Sequence, residues 1–298
     1  MQVHKVIFGV YAAALKLAKA IGLTKYLRGI LGPLAGRLVL KMSPGSGRPR
    51  LVQGHRMILA APSRFPPVAM AMDAYEPETT RLFQSVVKPG MTFIDVGAHV
   101  GYYSLLAARQ VGPEGQVYSF EPEPVNYSLL VKNVELNEYR NISTIAEAVS
   151  DKKGFSTLFV SALDSGRNSM FHHGLPENGS VQVATTTLDA FLEERGWPKV
   201  DLIKIDVEGA ELDVLAGMAE LLRKSEDLKL IMEFNPALLQ SAGVDPAEFL
   251  DAPGPGRFHI YAIEEPMGLR PLTSEELSSM AGKMSKDQDS INLFFTKE

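Results

Sequence analysis

From about Tyr75 onward, apolar residues follow two alternating rhythms. Short unbroken runs read as strands buried on both faces: Thr92 to Val96, Gln116 to Phe120, Ile142 to Val149, Val200 to Ile205 and Leu228 to Phe234. Between them, Glu76 to Val87, Tyr102 to Arg109, Val125 to Leu136, Leu188 to Arg195 and Glu211 to Lys224 carry helical spacing. Phe155 to Ser161 and Val181 to Thr187 read as shorter, more exposed strands around the loop Gly166-Arg167-Asn168-Ser169. Phe258 to Ile263 and Ile291 to Phe295 suit a terminal antiparallel, hairpin-like pair. Strands alternating with helices predict an α/β fold with a doubly wound, Rossmann-like sheet, mostly parallel and ending in an antiparallel strand.

The first 72 residues behave differently. Residues 3 to 31 can be written as a helix with Val3, Val10, Leu17 and Ile21 on one side and Lys5, Lys16 and Lys19 on the other. The longest uncharged run there, Val6 to Leu15, is too short to cross a bilayer. Ala18-Lys-Ala20 resembles a small-x-small cleavage site, but Lys16 and Lys19 interrupt the apolar stretch such a signal needs. Two readings stand side by side: residues 1 to 40 lie as an amphipathic segment on a membrane, or they cap the main domain. Ser43-Pro-Gly-Ser-Gly-Arg-Pro and Pro62 to Pro67 break the pattern. The expected division is a basic extension over 1–72 and one catalytic domain over 73–298.

Charge sharpens that division. The chain has 298 residues and a formal charge of −5, yet no acid precedes Asp73, while eleven Lys or Arg do. The remainder carries 19 bases against 35 acids. A basic arm on an acidic body points to a polyanionic partner, membrane or nucleic acid. There is no cysteine, which excludes disulfides, thiolate metal sites and cysteine nucleophiles.

The chemistry concentrates where strands end. Asp95-Val-Gly97-Ala98-His99-Val-Gly101 follows the first strand, in the spacing Asp-x-Gly-x-x-x-Gly. Glycines there allow a tight turn and close approach of a ligand. The dinucleotide fingerprint has a different spacing. A fixed carboxylate at this place disfavours pyrophosphate but tolerates the cationic tail of S-adenosylmethionine. The second strand ends in Glu121-Pro122, where an acid reaches ribose hydroxyls and the proline stiffens the turn. Asp206, Glu208 and Glu233 end the next two strands of the sheet. Such acids can act as a general base, bind hydroxyls of a substrate or hold a divalent cation, although any one of them can simply cap a helix dipole. His172-His173 offers no paired acid at zinc-ligand spacing.

With those segments in hand, the chain resembles the FkbM family of S-adenosylmethionine-dependent methyltransferases. The similar elements are Tyr75-Glu76-Pro77, Phe93 to Ser104, Phe120-Glu-Pro122, Ala148-Val-Ser-Asp151, Thr187-Leu-Asp189 and Lys204-Ile-Asp-Val-Glu-Gly-Ala-Glu211. They span roughly residues 75 to 240, and the last is the most family-specific. His99 departs from the asparagine more usual at its place.

The resemblance implies a class I methyltransferase that O-methylates sugars, glycolipids or polyketide-like molecules. Because its cofactor is cytoplasmic, the expected location is the cytoplasm, with the basic arm able to lie on the cytoplasmic membrane face. Carried over by position, Asp95, Gly97, Ala98, His99, Gly101, Tyr103, Glu121, Pro122, Asn126, Glu147, Ala148 and Asp206 would hold the cofactor, with Glu147 to Val149 near the adenine. Glu208, Asp206 and Glu233 would face the acceptor, with Glu208 the first choice of base. A Mg²⁺ ion on Asp206 and Glu208 is the disfavoured variant. Competing readings are a nucleic-acid methyltransferase and a membrane-associated binding module without turnover. Against nucleic acid, the Asp206 strand end lacks an Asn/Asp-Pro-Pro-aromatic signature, and the arm has few aromatics for base stacking.

Overall fold

The computed structural model describes residues 48–59, 69–70, 73, 75–162, 165–174, 176–246, 248–254, 258–264, 268–287 and 290–297. The amphipathic segment expected at residues 1–40 lies outside them. Among the described residues, no helix is long and apolar enough to cross a membrane.

The chain forms two units, residues 1–75 and 76–298. In the first, strands β1 (Arg50–Val52) and β2 (His55–Met57) make an antiparallel hairpin. Its two-residue turn, Gln53-Gly54, has φ of +48° and +84°, the pair of positive angles that matches the strands' twist.

The second unit is built on an eight-stranded sheet. Helix α1 (Pro77–Val86) precedes β3 (Thr92–Val96), α2 (Tyr102–Val111), β4 (Gln116–Phe120), α3 (Pro124–Leu136) and β5 (Ile142–Ile145). Then come β6 (Ala148–Val149), β7 (Gly154–Ser161), β8 (Glu177–Thr186), α4 (Leu188–Glu193), β9 (Leu202–Ile205), α5 (Glu211–Ala216), α6 (Ala219–Lys224) and β10 (Lys229–Phe234). The chain continues through α7 (Pro236–Ser241), α8 (Glu248–Asp251), β11 (His259–Glu264), β12 (Gly268–Pro271), α9 (Ser274–Asp287) and β13 (Ile291–Thr296).

The strand order is β12-β11-β13-β10-β9-β3-β4-β5. From β10 to β5 all pairings are parallel, and the central strands β3, β9 and β10 are covered on both faces and read as apolar runs, whereas β5 forms the half-buried edge. Phe93, Ile94, Ile203, Ile205, Leu230 and Met232 are fully buried. After β4 and β5 the chain crosses to the other side of β3, and the crevice opens at this switch point, beyond the carboxyl ends of β3 and β9.

Three expectations need correction. The run from Ile142 to Val149 is two strands in two sheets. β5 joins the large sheet, whereas β6 pairs with Thr185 and Thr186 of a three-stranded sheet, β6-β8-β7. The helix expected over Glu211 to Lys224 is two helices. Gly217 passes so close to Ser150 that a Cβ would lie 2.0 Å from its carbonyl oxygen. The Asp189 carboxylate then accepts from the Glu220 and Leu221 amides at the start of α6. Finally, β11 and β13 do pair antiparallel, but β12 and α9 lie between them in sequence and β13 inserts between β10 and β11. The antiparallel extension is therefore three strands wide.

Candidate functional site

Each chemical group is delivered by the end of a parallel strand. After β3 the chain turns at Gly97, with φ of +83°, and a Cβ there would lie 2.0 Å from the Asp206 carbonyl. Only glycine lets the β3 and β9 ends touch in this way. The Gly97 and Ala98 amides both donate to the Phe120 carbonyl, which fixes this turn to the end of β4.

Glu121, 5% exposed, is the hub. One oxygen accepts from the His99 amide at 2.8 Å and the other from the Glu123 amide at 2.9 Å. Burial lifts its pKa to about 7, against the pull of these two amides. His99 is half-buried with φ of +51°, and its Nε2 lies 2.8 Å from Ser165 Oγ. Burial lowers its pKa to about 4, so the ring is uncharged at neutral pH.

A pocket enclosing roughly 560 Å³, its open mouth included, lies against these groups. Of the expected cofactor residues, Gly97, His99, Glu121, Pro122, Asn126, Glu147, Ala148 and Asp206 line it. Glu147 and Ala148 reach it because the chain breaks between β5 and β6. Asp95, Ala98, Gly101 and Tyr103 do not line it. Asp95 is 2% exposed and turns to α2, where Ser104 donates to it at 2.6 Å. Burial raises its pKa to about 6. Ala98 is buried behind the turn, Gly101 is the N-cap of α2, and the Tyr103 hydroxyl donates to Glu76 at 2.8 Å.

Two buried amide atoms of the wall have no partner among the described residues: Asn126 Oδ1, an acceptor, and Asn168 Nδ2, a donor. Their other ends are tied down. Asn126 Nδ2 donates to the Ser165 carbonyl, and Asn168 Oδ1 accepts from the Ser161 amide. Such atoms suit a ligand with both donor and acceptor edges.

Beside the pocket is a cluster of acids. Asp206, Glu208 and Glu233 each offer an oxygen within 4.8 Å of the others. Burial, then mutual repulsion, raises the pKa of Glu208 and Glu233 well above the ordinary carboxylate range. Ser290 donates to Glu233 at 2.7 Å, and Glu233 lies in register with Asn292 of β13. The spacing suits a hard divalent cation, but the cluster has a fixed cation already. Lys204, 3% exposed on β9, places Nζ 2.6 Å from Asp206. Burial pulls its pKa down, yet Asp206, Glu76 and Asp95 hold it above its ordinary value.

Sequence reasoning missed Lys204, Glu76 and the whole loop wall of Ser165, Gly166, Asn168 and Met170. For Lys204 a signal existed. A charge inside the apolar run Leu-Ile-Lys-Ile needs a buried partner. The loop carries no such sign.

The architecture is a Rossmann-like α/β fold with a crevice at the carboxyl ends of its parallel strands, and comparison with known proteins supplies the class, a methyltransferase. The profile of the Methyltransferase FkbM domain matches residues 95–251, more than half of the chain. The chain belongs to the FkbM methyltransferase family. It is 26% identical over 202 residues to Methyltransferase sdnD of Sordaria araneosa, covering 58% of this chain and 76% of the relative. Hexuronic acid methyltransferase AglP of Haloferax volcanii is 23% identical over 216 residues, covering 72% of this chain and 75% of that protein. The 2-O-methyltransferase NoeI of Sinorhizobium fredii is 29% identical over 152 residues, or 46% and 61%.

Proposed function

We propose that this protein transfers a methyl group from S-adenosylmethionine to a hydroxyl of a sugar, glycolipid or other polyhydroxylated small molecule. One observation carries the reading. Asp206 belongs at once to the pocket wall and to the acid cluster, so a cofactor seat and a proton-accepting group meet at one residue. The relatives named for hexuronic acid and for 2-O-methylation lend support to a sugar-like acceptor.

The residues present fit the cofactor. Beyond the His99 and Glu123 amides, the Glu121 carboxylate keeps acceptor capacity for ribose hydroxyls. Asn126 Oδ1 and Asn168 Nδ2 offer the acceptor and donor that a purine edge needs, and Val149, Leu158 and Met170 supply apolar wall. When bound, S-adenosylmethionine supplies an electrophilic methyl on a sulfonium. The chain's own task is to orient the acceptor oxygen and take its proton. Glu208 is the first choice for that proton, because a carboxylate with a raised pKa is a stronger base than one near 4. Asp206, held by Lys204, would hydrogen-bond the acceptor and fix its approach, with Glu233 beside it in the same cluster. No metal is required in this scheme, since Lys204 already supplies positive charge to the cluster.

The test is calorimetric titration of S-adenosylhomocysteine into wild type and Glu121→Ala, followed by labelled methyl transfer into glycan and lipid extracts. Micromolar binding weakened by the substitution, with label entering alkali-stable ethers, is expected. Absence of binding by wild type overturns the cofactor assignment.

A further inference from the structure

Glu208 stands in the left-handed region, with φ of +51°, and Gly209 follows at +100°. A residue with a Cβ stays there only when its surroundings hold it. The peptide between them is held from a distant part of the chain. Ser169, 3% exposed, donates its hydroxyl to the Glu208 carbonyl at 2.7 Å. His173 Nε2 lies 3.0 Å from that same oxygen and 2.8 Å from Ser169 Oγ. The imidazole also packs on Gly209, where a Cβ would lie 3.2 Å from Cε1.

Counting protons fixes the histidine. The single Ser169 proton goes to the Glu208 carbonyl, and Ser169 Oγ accepts from the Phe171 amide at 3.1 Å. A carbonyl oxygen has no proton to give. Nε2 must therefore be the donor, shared between Ser169 Oγ and Glu208 O. Nδ1, buried and without a partner among the described residues, carries no proton in the neutral ring.

The loop that supplies this pair also supplies Ser165, Gly166, Asn168 and Met170 to the pocket wall. One segment thus borders the cofactor seat and grips the backbone of the acid beside it. We propose that Ser169 and His173 are positioning residues, a clamp on the Glu208 carbonyl that aims the Glu208 carboxyl at the acceptor. The proposal rests on the reading of Glu208 as the acceptor-facing base. A loop that merely packed over the pocket would need neither a buried serine nor an oriented imidazole on that carbonyl.

The experiment has two arms. In the full chain saturated with S-adenosylhomocysteine, nitrogen NMR of the His173 ring is expected to show the Nε2-protonated tautomer. Exchange of the Gly209 amide is expected to be at least about tenfold faster in His173→Leu, and also in Ser169→Ala should the leucine variant not fold. An Nδ1-protonated ring, or unchanged exchange, overturns the clamp.

In the second arm, labelled methyl transfer to the glycan and lipid extracts is expected to fall by about tenfold to a hundredfold in His173→Leu. S-adenosylhomocysteine affinity should stay within about threefold, and His173→Gln, whose amide N–H can take the Nε2 place, should recover most of the rate. Added to Glu208→Gln, the leucine change should cost nothing further; an equal loss there, or loss of affinity alone, overturns the proposal. If wild type transfers no methyl, the functional reading fails, and the NMR arm still decides the clamp.

Discussion

Glu121 makes cofactor binding depend on pH, and the size of the effect follows from its surroundings. Burial raises its pKa from 4.5 to about 7, with the Glu123 and His99 amides opposing. In the free fold this carboxyl gains its proton as pH falls through about 7, and its raised pKa favours the folded state at low pH, a preference lost between 4.5 and 7. Ribose hydroxyls donating to both oxygens need the ionised form, so binding runs in the opposite direction and strengthens as pH rises. About one tenth of the free protein is ionised at pH 6 and about nine tenths at pH 8, which makes binding roughly tenfold tighter at pH 8, or about 1.4 kcal/mol.

Titration of S-adenosylhomocysteine at pH 6, 7 and 8, in buffers of different ionisation enthalpy, measures both the affinity and the proton released. About half a proton should leave at pH 7. Glu121→Gln should bind more weakly and lose the slope. His99 contributes nothing to it, since it is uncharged over this range, and Asp95 and Glu211 are turned away from the pocket toward Ser104 and the Gly209 amide. A wild-type affinity that is equal at pH 6 and 8, or a slope that survives in Glu121→Gln, would refute this account of Glu121.

Other perturbations report on the frame and the acids. Gly97→Ala drives a methyl group toward the Asp206 carbonyl and adds a left-handed penalty of about 1–2 kcal/mol, so denaturant titration should show a loss larger than that penalty alone. Lys204→Met leaves Asp206 without its cation and should cost about 3–5 kcal/mol. Lys204 also holds down the Asp95 carboxyl, which burial has already lifted to about 6, so in the variant Asp95 should titrate higher and the loss should grow as pH rises from about 6 to 9, which urea titrations at both ends would check. Glu208→Gln should lower methyl transfer by about a hundredfold or more while S-adenosylhomocysteine affinity stays nearly constant; undiminished transfer would remove Glu208 as the base.

By itself, the sequence determined the parallel strands and the chemistry at their ends. Phe93-Ile-Asp-Val and Leu-Ile-Lys-Ile read as strands because both faces of such a strand are covered, and the glycine turn and Glu121 follow within a few residues. These are local patterns, set by the chain's immediate neighbours. Only the tertiary structure decided the rest. Ala148-Val149 leaves the large sheet because its partners are Thr185 and Thr186, and the helix after Asp206 breaks where Gly217 meets Ser150. Asp95 turns from the pocket to Ser104, and the loop from Ser165 to His173 arrives from elsewhere to complete the wall and hold Glu208. Periodicity reports which face of an element is buried. Which distant segment buries it depends on close packing between parts of the chain that no local pattern connects.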